Sequence, residues 1–189
     1  MIGMKTESIE HLRETPIARH DIHRGRLLHV VDDEVQLADG TVAHREVVEH
    51  PGAVAIVAFD AHGRAVLVRQ WRHPARGPLW EIPAGTRDVA GETPERTAQR
   101  ELAEETGFSA ASWRSLGSAF LAPGYSTEEM HFFLATELVA GTPRAADDER
   151  MDVGSFHPAE VLALVRAGEI DVKTIAGLAM AGWPMSLDA

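Results

Sequence analysis

The 189-residue chain contains no cysteine, which excludes disulfide bonds and zinc sites built on thiolates. Basic residues are scarce, since 18 lysines and arginines stand against 29 aspartates and glutamates, for a net charge of −11 at pH 7. A surface that binds nucleic acid is basic, so this balance argues against a nucleic-acid partner. The longest apolar run, Ala53–Phe59, is far shorter than the ~20 residues that span a membrane. The first residues lack the apolar core of a secretory signal. We therefore expect a cytoplasmic protein with no membrane partner.

The order of the predicted elements indicates an α/β fold with a mixed sheet. The Pro-Gly pair at residues 51 and 52 predicts a boundary between a β-rich subdomain, residues 1–49, and a main domain, residues 50–189. The subdomain is predicted to contain short strands, which include Arg26–Val31, Glu34–Leu37 and Thr41–Glu49. The main domain is predicted to combine a strand buried on both faces with strands and helices that follow it, which include Ala53–Phe59, Ser112–Leu121, Met130–Thr136, His157–Ala167 and Lys173–Ala181.

A further helix, which begins after Thr93 and ends before Gly107, carries the most informative pattern in the chain. Threonine suits the N-cap position and glycine the position after the last turn. Glu104 and Glu105 follow Glu101 by three and four residues, so the three project from one helical face. Each such like-charge pair disfavours a helix by roughly 0.2–0.5 kcal/mol, and a divalent cation would reverse that sign. The alternative is a solvated acidic face without a metal.

The residues around these glutamates resemble the Nudix box. The match is complete from Glu92 onward and comprises Glu92, Arg100, Glu101, Leu102, Glu104, Glu105, Gly107 and Phe108. One departure is that Gly85 stands one residue early, so the loop before Glu92 carries one extra residue. The resemblance implies a Nudix α/β/α sandwich with a mixed sheet and a small N-terminal β-rich subdomain.

The same resemblance implies a site for Mg²⁺ or Mn²⁺. Glu101 and Glu105 would be the principal ligands, Glu104 an additional one, and the backbone carbonyl of Ala84 would join them. Arg100 would orient the glutamates by a salt bridge and so, with Glu104, belong to the catalytic group. The alternative for Arg100 is an ordinary exposed arginine.

Beyond the box, the chain resembles the ADP-ribose pyrophosphatase branch of this family over about residues 25–180. The supporting segments are residues 45–55, 69–72, 80–85 and 123–128, with Pro123 about fifteen residues past the box. The resemblance implies substrate contacts from Arg45, Glu46, Arg72, Glu81, Gly124 and Glu128. Without the resemblance, the Pro-Gly pair at 123 and 124 is simply a turn. Arg72 would then be a surface residue of an edge strand, and Glu81 could point either inward or outward.

This branch takes its general base from an acidic loop after the box. Here the matching loop is residues 145–152, in which Glu149 is the first choice and Asp147 and Asp148 are the alternatives. A solvated loop without a catalytic role is the other interpretation.

The implied activity is hydrolysis of ADP-ribose, or of a related nucleoside diphosphate sugar, by a homodimer whose N-terminal strands reach the partner's site. The alternatives are another nucleoside diphosphate compound, such as GDP-mannose or a dinucleotide, and a regulator that binds ADP-ribose without cleaving it.

Overall fold

The computed structural model describes residues 8–26, 28–142 and 150–185. The strands in these ranges are β1 Thr15–Arg24, β2 His29–Gln36, β3 Val42–Glu49, β4 Ala53–Phe59, β5 Ala65–Arg72, β6 Gly77–Glu81, β7 Ala84–Thr86, β8 Phe108–Phe120, β9 Glu129–Ala140 and β10 Asp152–Phe156. The α helices are α1 Pro94–Thr106, α2 Pro158–Ala167 and α3 Val172–Met180. Short 3₁₀ helices lie at Glu10–Leu12 and His73–Ala75. Within the described ranges, no helix is both long and apolar enough to cross a membrane.

The chain divides into two compact units, and the first contains residues up to His50 together with Ala122–Glu128. Its sheet has the order β1-β2-β3, with antiparallel pairing throughout. The segment 122–128 joins β3 through its backbone: the Val48 N–H donates to the Tyr125 carbonyl at 2.7 Å, and the Thr127 N–H donates to the Val48 carbonyl at 3.1 Å. Although far apart in sequence, β3 and this segment therefore form one structural piece.

The prediction of separate strands at Arg26–Val31 and Glu34–Leu37 is wrong, because β2 runs unbroken through Asp32 and Asp33. Cross-strand partners hold both aspartates. The Arg19 Nε donates to Asp33 Oδ1 at 2.6 Å, and a ring nitrogen of His44 lies 2.9 Å from Asp32 Oδ2. Adjacent acidic residues look like a strand break in the sequence, but here they line the two faces of a strand whose neighbours supply cations and imidazoles.

The second unit contains Pro51–Leu121 and the residues from Glu129 onward. Its sheet has the order β10-β5-β4-β9-β8, with β6 paired to β5 and β7 paired to β4. Strands β4 and β9 are parallel and the other pairs are antiparallel. The sheet is therefore mixed, as the sequence predicted.

Strand β4 lies at the centre of this unit and separates two apolar clusters. One face of β4, with Ala55 and Val57, packs with Val161 of α2 and Leu178 of α3. The opposite face packs with α1, through the buried pairs Val54 and Ile56 on β4 and Ala98 and Leu102 on α1. Helices thus cover both faces of the sheet. This arrangement confirms the α/β/α sandwich, and it explains why β4 is apolar at every position.

Candidate metal and phosphate site

Helix α1 is fixed at both ends by the residues that the sequence suggested. The Thr93 side chain accepts a hydrogen bond from the Arg96 N–H at 3.3 Å, and Pro94 occupies the first turn. At the other end Gly107 adopts φ 73°, the left-handed conformation that glycine tolerates best, and its N–H donates to the Ala103 carbonyl at 3.0 Å. Because Leu102 is buried against the sheet, the glutamates on either side of it are held in fixed directions.

Two of the three glutamates lie against the strand that precedes the helix in sequence. Glu105 is buried, at 6% exposure, and its Oε2 accepts a hydrogen bond from the Ala84 N–H at 3.1 Å. The Glu101 carboxylate occupies the space beside Gly85, where a Cβ would lie 2.0 Å from the Glu101 Cδ. Gly85 thus provides the room for Glu101 although it stands one residue early in the motif. Glu104 is the most open of the three, with 41% of its side chain exposed.

Arg100 joins the acidic residues of this cluster. Its Nη1 donates to Glu101 Oε1 at 2.7 Å and to Glu104 Oε2 at 3.0 Å, while its Nη2 donates to Glu92 Oε2 at 3.3 Å. Burial opposes the charge of the guanidinium, but the bonds to Glu92, Glu101 and Glu104 outweigh it and raise the Arg100 pKa. Burial also opposes ionisation of Glu92, yet the Arg100 hydrogen bond lowers the Glu92 pKa on balance. Arg100 is therefore part of the cluster and not an isolated surface arginine.

A second charged cluster lies at the ends of β5 and β6. Glu81 is almost fully buried and points inward, where it accepts two hydrogen bonds from Arg72, from Nε at 2.7 Å and from Nη2 at 2.6 Å. The Nζ of Lys173 on α3 donates to both Glu81 and Asp171. Burial opposes ionisation of Glu81, but the Arg72 and Lys173 contacts more than compensate and lower its pKa.

Arg72 connects the two clusters electrostatically. The hydrogen bonds to Glu81 raise its pKa against the effect of burial, and the charges of Asp171 and Glu105 raise it further. Its side chain remains 42% exposed, so the guanidinium can meet an anion from solvent while Glu81 holds it. The Arg72 guanidinium therefore interacts with the charge of Glu105 in the first cluster and also faces solvent.

Four other predicted substrate residues lie in the N-terminal unit. Arg45 and Glu46 are on β3, and Gly124 and Glu128 are in the segment joined to it. The Arg45 Nε donates to Glu14 Oε2 at 3.1 Å, and this contact raises the Arg45 pKa. Gly124 has open space around it, since an added Cβ would meet nothing within 4 Å. Glu149, Asp147 and Asp148, the candidates for the general base, lie outside the described residues.

The sequence profile of the NUDIX domain matches residues 49–177. The chain belongs to the Nudix family. It is 45% identical to an ADP-ribose pyrophosphatase of Mycobacterium tuberculosis over 88% of this chain and 81% of that protein. It is also 39% identical to an ADP-ribose pyrophosphatase of Bacillus subtilis over 86% of this chain and 89% of the relative. A crystal structure described as an ADP compounds hydrolase superimposes with a TM-score of 0.79 at 22% identity, over 90% of this chain and 92% of that one. That likeness independently supports the Nudix fold.

Nudix hydrolases generally depend on a divalent metal. Across residues 8–26, 28–142 and 150–185, no three acidic or histidine side chains are placed closely enough to ligate one ion as they stand. The donors nevertheless suit a hard cation. Glu101 and Glu104 already converge on one cationic nitrogen, the Nη1 of Arg100. Carboxylate oxygens are also the ligands that Mg²⁺ and Mn²⁺ prefer. The donors of this Nudix box therefore suit a hard divalent cation.

The sequence does not place Lys173 or Asp171 in this site, because the pattern there predicts only an apolar helix that begins at Lys173. One signal was available in the sequence. Lys5 and Lys173 are the lysines of a chain that otherwise uses arginine as its cation, and a lysine entering an apolar helix needs a partner if it is buried. The sequence did not reveal that this partner is Glu81.

Proposed function

We propose that this Nudix hydrolase cleaves the diphosphate bond of ADP-ribose to give AMP and ribose 5-phosphate, with Mg²⁺ or Mn²⁺ as its cofactor. The observation that carries the proposal is that the Nudix-box cluster occurs together with Arg72, an arginine that Glu81 holds and that faces outward. Carboxylates for a cation and a guanidinium for a phosphoryl group occur together in the second unit. Similarity to two ADP-ribose pyrophosphatases over more than four fifths of the chain supports this choice of substrate.

Each residue of the cluster has a proposed task. Glu101, Glu104 and Glu105, with the carbonyl of Ala84, would hold the ion. The bound ion supplies Lewis acidity and lowers the pKa of a water molecule. Arg100 keeps the carboxylates oriented before the ion binds, through its contacts with Glu101 and Glu104.

Arg72 would bind a phosphoryl oxygen, since a guanidinium offers several fixed N–H donors to phosphate. A protein with a net charge of −11 needs such local cations to bind an anion at all. Glu149 is proposed to accept the proton of the attacking water, with Asp147 and Asp148 as the alternatives in the same loop.

The N-terminal unit is proposed to serve a homodimer in which Arg45, Glu46, Gly124 and Glu128 contact the substrate held by the partner. Its three-stranded sheet exposes apolar side chains that a second copy could cover, namely Ile17, Ile22 and Val42. We further propose that the dimer is cytoplasmic and that its partners include neither nucleic acid nor membrane.

The test is a substrate panel of ADP-ribose, ADP-glucose, GDP-mannose, a dinucleotide and coenzyme A, each with Mg²⁺, Mn²⁺ or EDTA. We expect the highest kcat/KM for ADP-ribose, with AMP and ribose 5-phosphate as products and no turnover in EDTA. Faster cleavage of GDP-mannose would assign a different substrate. Tight ADP-ribose binding without any turnover would show instead that the protein is a regulator.

A further inference from the structure

Lys173 is a buried cation to which the proposed reaction gives no task. Only 7% of its side chain is exposed, whereas lysine is almost never buried without a partner. Its Nζ donates to Glu81 and to Asp171. Glu81 in turn accepts both bonds from Arg72. The lysine therefore touches the carboxylate that holds Arg72 and not the guanidinium itself.

The charges of this cluster balance: Arg72 and Lys173 carry two positive charges, and Glu81 and Asp171 carry two negative ones. If Lys173 were neutral, the cluster would have a net charge of −1 directly behind Arg72. The two carboxylates would then outweigh the positive charge of Arg72 and weaken its attraction for a diphosphate. Because the cluster is largely buried, water screens this effect less than it would at the surface.

The first turn of α3 is also attached to the chain that leads to the metal-binding cluster. The Thr174 hydroxyl oxygen accepts a hydrogen bond from the Ile82 N–H at 2.8 Å, and Asp171 Oδ1 accepts one from the Thr174 N–H at 3.0 Å. The helix approaches so closely that a Cβ at Gly177 would lie 2.7 Å from the Ile82 Cδ1. Lys173 is thereby held at a fixed distance from Glu81.

We propose that Lys173 is a positioning residue that, through Glu81, keeps Arg72 aimed at the diphosphate of the substrate and prevents an excess of negative charge behind it. This inference rests on the proposed function, in which Arg72 binds a phosphoryl group. It assigns to α3 a part in substrate affinity that is separate from metal binding and from proton transfer.

The test compares Lys173→Met, Lys173→Arg and the double variant Asp171→Asn/Lys173→Met with the wild-type enzyme. Lys173→Met should raise KM for ADP-ribose on the order of tenfold, which corresponds to about 1.4 kcal/mol, and leave kcat largely unchanged. Lys173→Arg should keep the wild-type KM. Asp171→Asn/Lys173→Met should recover most of it, since its cluster is neutral again while Glu81 still holds Arg72.

A loss of packing on α3 needs its own control, because the methionine variant could also be less stable. Leu178→Ala removes fully buried apolar volume from the same helix without changing any charge. It should lower Tm at least as much as Lys173→Met does and leave KM near the wild-type value. Equal KM for Lys173→Met and the wild type, or an equal rise in KM for Leu178→Ala, would overturn the proposal.

A second measurement separates this inference from the proposed function. If the wild type does not hydrolyse ADP-ribose, the proposed function fails, and anion binding is then tested by the rise in Tm that inorganic pyrophosphate produces without metal. A smaller rise for Lys173→Met than for Lys173→Arg would support the positioning role. Equal rises would refute it.

Discussion

Replacing Gly85 with alanine tests whether the space beside β7 is what places Glu101 in the metal site. An added Cβ at this position would lie 2.0 Å from the Glu101 Cδ, 2.2 Å from its Oε1 and 2.5 Å from its Cγ. Carbon atoms pack at about 3.5 Å or more, so the carboxyl carbon must retreat by about 1.5 Å. The retreat would also break the 2.7 Å hydrogen bond from Arg100 to Glu101 Oε1.

The size of this displacement determines the expected losses of metal coordination, catalytic rate and stability. Magnesium binds oxygen at ~2.0–2.1 Å and tolerates little deviation from octahedral geometry, so a ligand displaced by about 1.5 Å no longer coordinates. A misplacement of about 1 Å can cost ~10²-fold in rate, and we expect a loss of kcat/KM of at least that order. The strain of an extra methyl in a packed place should reduce the free energy of unfolding by about 1–3 kcal/mol.

Three measurements check this prediction: calorimetric titration with Mn²⁺, kcat/KM for ADP-ribose, and urea unfolding. Gly77→Ala is the matched control, because its new methyl would meet only the Ala75 carbonyl oxygen, at 4.0 Å. It should change the free energy of unfolding by no more than about 0.5 kcal/mol and keep the metal affinity. Wild-type Mn²⁺ affinity in Gly85→Ala would refute Glu101 as a ligand.

Three further substitutions test other parts of the site. Glu105→Gln should retain the fold, because an amide oxygen can still accept the Ala84 N–H, while metal-dependent turnover falls by roughly 10²-fold or more; an unchanged rate would exclude Glu105 as a ligand. Glu149→Gln should lower kcat with little change in Mn²⁺ affinity, and the same result from Asp147→Asn instead would move the base by two residues. Because the pKa of Glu81 is lowered from its ordinary value of 4.5, its ionised form stabilises the fold above pH 4.5, and this contribution is lost as pH falls through the folded pKa. The difference in unfolding free energy between the wild type and Glu81→Gln should therefore be full at pH 7 and shrink steadily in acid; a constant difference would contradict the shift.

The features that local sequence determines were predictable. Thr93 and Gly107 fixed the ends of α1 because a capping hydroxyl and a left-handed glycine act within a few residues. The continuous apolar run of β4 predicted burial on both faces, and the structure confirms it. The spacing of Glu101, Glu104 and Glu105 fixed their common face, since helical geometry alone decides it.

What escaped prediction depends on contacts between distant parts of the chain. Whether Glu81 points inward was undecided, because its alternation along β6 fits either face; Lys173, 92 residues away, decides it. The unbroken course of β2 depends on cross-strand partners for Asp33 and Asp32 that no local pattern reveals. Segment 122–128 likewise looked like a turn within the main domain, and only its hydrogen bonds to Val48 place it with the first unit.

The buried charges around Glu81 contribute little to stability for what their burial costs, which suggests that they serve another role. Moving charges out of water costs several kcal/mol per ion after relaxation, and well-packed apolar residues often replace a buried ion pair without loss of stability. Position 173 is buried, so an apolar side chain could occupy it. A lysine there is costly for stability alone, but it is accounted for if the half-exposed Arg72 must attract an anion while a buried carboxylate, balanced by the lysine, fixes its direction.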